Sequence, residues 1–253
     1  MTDAAQDKEQ SFISHLLELR DRLLRSVVAV LIPFIIMAFF WPKAGYIYDL
    51  VAHPMIAMLP AGTKMIATGV ITPFMVPMKV TLLAAFLLAL PYVLYQVWAF
   101  IAPGLYQHEK RIALPLIVSS TLLFFVGMAY TYFVVLPMVF KFVAGFAPES
   151  IAAAPDIQAY FEFVLTMFVA FGIAFEVPVA VVLLVRTGVV TVQKLGEIRG
   201  YVIVAAFVIA AIVTPPDVMS QLLLAVPLCI LYEIGILAAR LVRPKPAPSS
   251  EAA

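Results

Sequence analysis

Stretches of apolar residues long enough to cross a lipid bilayer recur along this chain, and the one at 160–185 holds a carboxylate, Glu176, within FGIAFEVP. About 20 apolar residues rising 1.5 Å each match the hydrocarbon core of a bilayer. Backbone groups there must be satisfied within the segment, which makes each run a helix. With 64% of the residues hydrophobic and 12% charged, the chain lies far from soluble domains, in which about a quarter are charged.

A charge at a helix centre costs roughly 2.5–3.5 kcal/mol on insertion scales, so such groups face protein or a wet cavity and default to a functional role. On a helix, Glu176 shares its stripe with Val169, Gly172, Val179 and Ala180, mostly small residues that admit a second helix. Pro178 removes a backbone N–H two residues on and predicts a kink beside the acid.

The apolar runs predict an all-α polytopic membrane protein, with spans at about 23–40, 74–100, 112–136, 160–185, 201–213 and 218–237 in one domain over 1–240. Before the first span, SHLLELRDRLLR is amphipathic: Phe12, Leu16, Leu19 and Leu23 fall on one stripe, Glu18, Arg22 and Arg25 on the other. Residues 43–72, broken by Pro54, Pro60, Gly62 and Gly69, read as an extramembrane cap. Pro77 and Pro91 bend the second span, and Pro137 is expected to end the third. The fifth span has about 13 apolar residues, well short of the hydrocarbon thickness, and the sixth is interrupted by Pro227. The tail at 241–253 is too polar and proline-rich to pack and is expected to be disordered.

If the spans alternate, Lys8, Arg20, Arg22, Arg25, Lys110, Arg111, Arg186, Lys194, Arg199, Arg240, Arg243 and Lys245 fall on one side, against Lys43, Lys64, Lys79 and Lys141 at or near the other, which places both termini in the cytoplasm. The polar, mildly acidic start is unlike a signal peptide. No basic block points to nucleic acid. The single Cys229 excludes an internal disulfide and a cysteine-based metal site, and His15, His53 and His108 are scattered. P-loop, GxSxG and HExxH patterns are all missing. No enzymatic activity, cofactor or metal is therefore expected, and any work must come from partners or an ion gradient.

Glu18 and Glu109 stand at the cytoplasmic ends of helices beside apolar groups, Leu16 and Leu19 for one, Phe100 and Tyr106 for the other. Two such carboxylates suit a peptide with adjacent guanidiniums, because arginine pairs with carboxylate bidentately. The competing reading is a satisfied surface, since Glu18 and Arg22 are an i,i+4 pair. Asp217 in TPPD reads as an N-cap, and Glu162 and Glu233 as groups that reach the interface.

SHLLELRDRLL, MIATGVITPF, LPYVLYQVWAFIAPGLYQHEKR, FGIAFEVPVAVVLL and TPPDVMSQLLLAVPLCILYEIG, in this order and spacing, resemble the TatC family, the receptor subunit of the twin-arginine protein translocase. The resemblance implies six transmembrane helices in a concave, glove-like arrangement with short fifth and sixth helices, in a bacterial plasma membrane. It implies binding of twin-arginine signal peptides of folded cargo at the cytoplasmic face. It also implies assembly with small single-span TatB- and TatA-like subunits into a higher oligomer driven by the proton-motive force. Carried over by motif, Glu18 and Glu109 match signal-binding glutamates, with Arg20, Phe100 and Pro91 beside them. Glu176 matches an intramembrane glutamate, Asp217 and Gln221 the TPPD and SQ positions, and Pro54 a sensitive proline of the first outer loop. Where the family often shows a basic cluster before the fifth helix, this chain has KLGEIRGY. A proton-coupled small-solute transporter using Glu176 is the alternative, and an intramembrane hydrolase a third reading. The first should place further polar groups at midplane, and the second needs a nucleophile and base; the spans hold almost none of these.

Overall fold

The computed structural model describes residues 3–40, 45–57, 65–101, 110–146, 154–214 and 217–241. Regular structure among them is helical: α1 (Asp3–Phe40), α2 (Gly45–Ile56), α3 (Thr72–Ile101), α4 (Lys110–Tyr130), a π turn (Thr131–Val135), α5 (Leu136–Phe146), α6 (Ile157–Ala174), α7 (Val177–Arg186), α8 (Val192–Glu197), α9 (Arg199–Val213) and α10 (Val218–Leu241). Among the described residues, five stretches are long and apolar enough to cross a membrane: Ile13–Phe39, Thr72–Ile101, Ala113–Gly145, Ile157–Arg186 and Val218–Leu241. The shorter apolar helix α9 follows the expected short fifth run. The predicted all-α, multi-span class therefore holds. Residues 242–253 of the predicted tail lie outside the described residues.

Two of the expected interruptions take a different form. The third span does not end at Pro137 but continues as far as Phe146. The π turn makes this possible: the Leu136 N–H bonds back to the Thr131 carbonyl, five residues away, just before the residue that has no N–H to give. The buried Thr131 hydroxyl donates to the Gly127 carbonyl at 3.0 Å, adding a bond where the ladder is wound differently. In the fourth span the irregularity expected from Pro178 is a two-residue turn, Phe175 and Glu176, between α6 and α7, with both residues still in right-handed helical conformation. The Phe175 N–H reaches the Phe171 carbonyl and the Glu176 N–H the Ile173 carbonyl, each at 3.0 Å, which tightens the last turn of α6. Pro178 then sits in the first turn of α7, where a missing N–H is harmless. Glu176 is thus the hinge residue between two helices, and its own carbonyl accepts from Ala180 at 2.9 Å to start the second.

The chain clusters into two compact units, Met1–Lys43 with Thr81–Thr121, and Ala44–Val80 with Leu122–Ala253. In the larger unit, Val135, Val139, Met167, Phe171, Ala174, Phe175, Ala210, Leu224, Ala225 and Leu231 form a core, drawn from the π turn, α5, α6, α9 and α10. A second core joins Val181 and Val185 of α7 to Leu195 of α8 and to Tyr232, Ile236 and Ala239 of α10. Lipid tails are as apolar as leucine, so the gain here comes from close packing rather than from escape from water. Glycine supplies it at two reciprocal points. A Cβ at Gly127 would stand 2.5 Å from the Phe171 carbonyl oxygen, and one at Gly172 would collide with the ring of Phe124. Each helix thereby seats the other one turn before the Glu176 break.

Gly127→Ala should lower the melting temperature in detergent, with a loss of about 1–3 kcal/mol, the usual scale of overpacking. Gly145, with nothing within 4 Å of its would-be Cβ, is the control, and its alanine variant should melt like the parent. Equal effects at both positions would count against close packing at Gly127.

Candidate functional site

Within the smaller unit, α1 and α3 bring five side chains together. Glu18 accepts at one oxygen, Oε1, from Arg22 Nε at 2.9 Å and Nη2 at 2.7 Å. The far edge of the same guanidinium, Nη1, donates at 3.2 Å to Oε1 of Gln96, which is only 3% exposed. The second oxygen of Glu18, Oε2, faces His15 Nδ1 at 3.9 Å, beyond hydrogen-bonding distance. The His15 ring in turn stacks on Phe100, with centroids 4.4 Å apart and planes 16° off parallel. Arg20 is engaged elsewhere, its guanidinium bonded to the neighbouring Asp21 at 2.9 and 3.1 Å. Pro91 is an exposed position inside α3. Of the residues the sequence grouped, Glu18 and Phe100 thus meet, through His15. Glu109 lies outside the described residues.

In the larger unit, Pro54 is buried inside α2. Having no N–H, it leaves the Leu50 carbonyl four residues earlier without its helical donor. The Tyr132 hydroxyl of the π turn fills that place at 2.9 Å, and the Tyr160 hydroxyl bonds the adjacent Val51 carbonyl at 2.8 Å. Close by, Asp156 caps α6 through the Gln158 and Ala159 N–H groups, both at 3.1 Å. Its other oxygen takes the Thr68 N–H at 3.1 Å and hydroxyl at 2.9 Å. Ile66 and Asp156 form a parallel bridge. The segment before α3 is thereby fastened to the start of α6.

Glu176 is buried, 8% exposed, between α6 and α7. Asp217 caps α10 with a 2.7 Å bond from the Ser220 N–H, as its place after two prolines suggested. Gln221, one residue on, donates to the Phe207 carbonyl of α9 at 3.3 Å. Asp217 also borders a cavity of about 340 Å³ with Phe140, Asp156, Tyr160 and Phe163. α7 and α10 approach closely at Gly235, where a Cβ would stand 3.0 Å from the Pro178 Cα.

Two acids read from the sequence as simply reaching the interface are paired instead. Glu162 binds Lys79 at 2.7 Å and Glu233 binds Arg199 at 2.7 Å. The second pair belongs to an ordered connection in which Thr191 caps α8 and the Tyr232 hydroxyl donates to the Leu195 carbonyl. The KLGEIRGY stretch is therefore folded onto α10. Sequence reasoning does not single out Gln96 or Tyr132, and it takes His15 only as one of three scattered histidines. A glutamine in the apolar α3 and a tyrosine beside a proline pattern were signals, but neither carries a charge.

The sequence pattern of the family described as Sec-independent protein translocase protein (TatC) matches residues 14–227. The chain is 51% identical over 239 residues to the TatC protein of Haemophilus influenzae, covering 94% of this chain and 92% of that one. To the TatC protein of Escherichia coli K12 it is 50% identical over 231 residues, 91% of this chain and 88% of that one. The crystal structure of a twin-arginine translocase receptor, TatC, superposes with a TM-score of 0.76 at 42% identity, covering 90% of this chain and 98% of the other.

The Asp156 clasp makes a prediction in pH. The N–H groups of Ala159 and Thr68 hold its carboxyl below the ordinary 3.8. A depressed carboxyl contributes stability that is present above 3.8 and lost as pH falls through the lower folded value. Asp156→Asn removes that titration, so the drop in melting temperature between pH 6 and pH 3 should be smaller in the variant. An unchanged drop would mean that Asp156 is not held as the ionised form.

Proposed function

The chain belongs to the TatC family of Sec-independent protein translocase proteins, and from that premise we propose that it binds twin-arginine signal peptides of folded cargo at the cytoplasmic face of a bacterial plasma membrane. The observation that supports this most directly is the state of Glu18. One of its oxygens is held by Arg22, while the other, among the described residues, faces the His15–Phe100 stack with His15 Nδ1 at 3.9 Å, beyond hydrogen-bonding distance. A guanidinium from a peptide suits that oxygen, and Glu109, from the same motif set, is its expected companion for the second arginine. Arg20, Phe100 and Pro91 belong to this site by motif, Phe100 as the wall on which His15 rests.

In the larger unit, Glu176, Asp217 and Gln221 are the proposed meeting place for small single-span TatB- and TatA-like subunits, with transport driven by the proton-motive force. α9 supports the reading: Ile203, Val204, Val208, Ile209 and Ile212 are exposed on a helix of 15 residues, too short for the hydrocarbon layer. A partner helix lying there covers the mismatch. Pro54 acts at a distance through the Leu50 carbonyl that it leaves to Tyr132.

Crosslinking from position 109 to a twin-arginine peptide, with Glu109→Lys and Glu18→Ala as variants in separate export assays, tests the receptor reading. Glu109→Lys should weaken capture and export with the protein still folded, and Glu18→Ala should act in the same direction more mildly. Undiminished capture and export by both variants would remove the pair from the site. For Glu176, the Gln variant should keep substantial export, because it retains shape and a donor, whereas Ala should lose partner assembly on native gels. If Gln is as defective as Ala, ionisation itself is required and proton coupling at Glu176 takes precedence.

A further inference from the structure

Arg22 is placed as a resident occupant of the Glu18 site. Its guanidinium spends Nε and Nη2 on a single carboxylate oxygen and Nη1 on the buried Gln96. Its main chain is also tied down, since the Ser26 hydroxyl bonds the Arg22 carbonyl at 3.0 Å. The side chain is 22% exposed and Glu18 37%, so the ion pair is reachable and exchangeable rather than locked in a core. While Arg22 stays, Glu18 Oε1 is occupied and no incoming group can grip both oxygens.

We infer that Arg22 is a specificity-determining residue, a built-in competitor that a peptide arginine must displace from Glu18 and that moves its charge onto Gln96 when displaced. The inference rests on the receptor reading above and adds to it a rule of selection. An arginine carries a planar fork that engages both carboxylate oxygens, so it can match what Arg22 gives up. A lysine is a point charge without a fork and replaces Arg22 poorly. Discrimination arises because the wrong ligand must break an existing pair that it cannot equal, which is a repulsive element built against it. Gln96 lowers the penalty of displacement, since its carbonyl oxygen already holds the far edge of the guanidinium and keeps it when Glu18 lets go. Among the described residues, His15 and Phe100 stand on the Oε2 side, and Oε2 is the proposed point of first contact.

The test uses the full-length protein in lipid nanodiscs and two labelled peptides, one twin-arginine signal peptide and its twin-lysine counterpart, with both dissociation constants measured. Arg22→Gln should raise twin-lysine binding more than twin-arginine binding, so that the preference for arginine falls on the order of 2- to 5-fold, the range of accessible ion pairs. Arg22→Lys keeps the charge, loses the fork and should show an intermediate preference, which keeps the test open if the Gln variant folds poorly. Gln96→Leu should weaken twin-arginine binding in the parent but have no effect in the Arg22→Gln background, where nothing needs to be parked. A merely structural Gln96 would give the same loss in both backgrounds. An unchanged arginine preference in the Arg22 variants, or equal Gln96→Leu losses in both backgrounds, overturns the inference. Glu18→Gln separates the two layers. If it leaves twin-arginine binding intact, the receptor role of Glu18 fails; if it weakens binding while Arg22→Gln leaves the preference untouched, only the resident-competitor role fails.

Discussion

Inside a hydrocarbon layer, a backbone carbonyl that loses its donor has no water to turn to, and this chain places prolines within its helices. Much of the larger unit is arranged around how those lost bonds are answered. At Pro54, in α2 of the stretch read as lying outside the membrane, the same kind of loss is answered by a tyrosine hydroxyl from the π turn, which takes the Leu50 carbonyl. At Pro137 the helix winds one residue wider just beforehand, with the Leu136 N–H bonding five residues back. At Pro178 the helix stops and restarts, and the stop is where Glu176 stands. The acid and the proline belong together in this account. A carboxylate at a helix break lies where the ladder is already open, and the glycines at 127 and 172 hold the neighbouring helix against that break.

The end that carries α2 follows the same rule with polar side chains. Asp156 satisfies N–H groups at the start of α6 and a threonine from the segment before α3 with one carboxylate. Thr72 and Gln158, joined at 3.1 Å, and Lys79 with Glu162 continue the seam along the same two helices. At the opposite end, Arg199 with Glu233 and Tyr232 with Leu195 bind the α8 connection to α10. These described connections are fixed by long-range polar bonds, while apolar residues of α1 and α9 remain exposed.

The sequence makes legible whatever depends on hydropathy and short spacing. The apolar spans, the short α9, an irregularity near Pro178, the Asp217 cap and the Glu18–Arg22 pair all follow from neighbours within four residues or from runs of apolar side chains. What stays hidden depends on pairs far apart in the chain. Gln96 is 74 residues from Arg22, Tyr132 is 82 from Leu50 and Glu162 is 83 from Lys79. No local pattern announces such partners, and two of these contacts use uncharged groups that a search for ions passes over. The π turn escapes for another reason: a proline in an apolar run reads as an end unless the compensating extra residue before it is known.

In the proposed receptor, Glu18 is a half-open acceptor for a peptide guanidinium, with Arg22 as its resident partner. A cryo-electron microscopy structure of the protein in nanodiscs with a bound twin-arginine signal peptide tests this most directly. The account predicts a peptide guanidinium within hydrogen-bonding distance of Glu18, with the Arg22 side chain shifted onto Gln96. Peptide density away from α1 and α3, with the Glu18–Arg22 pair still closed, would contradict it.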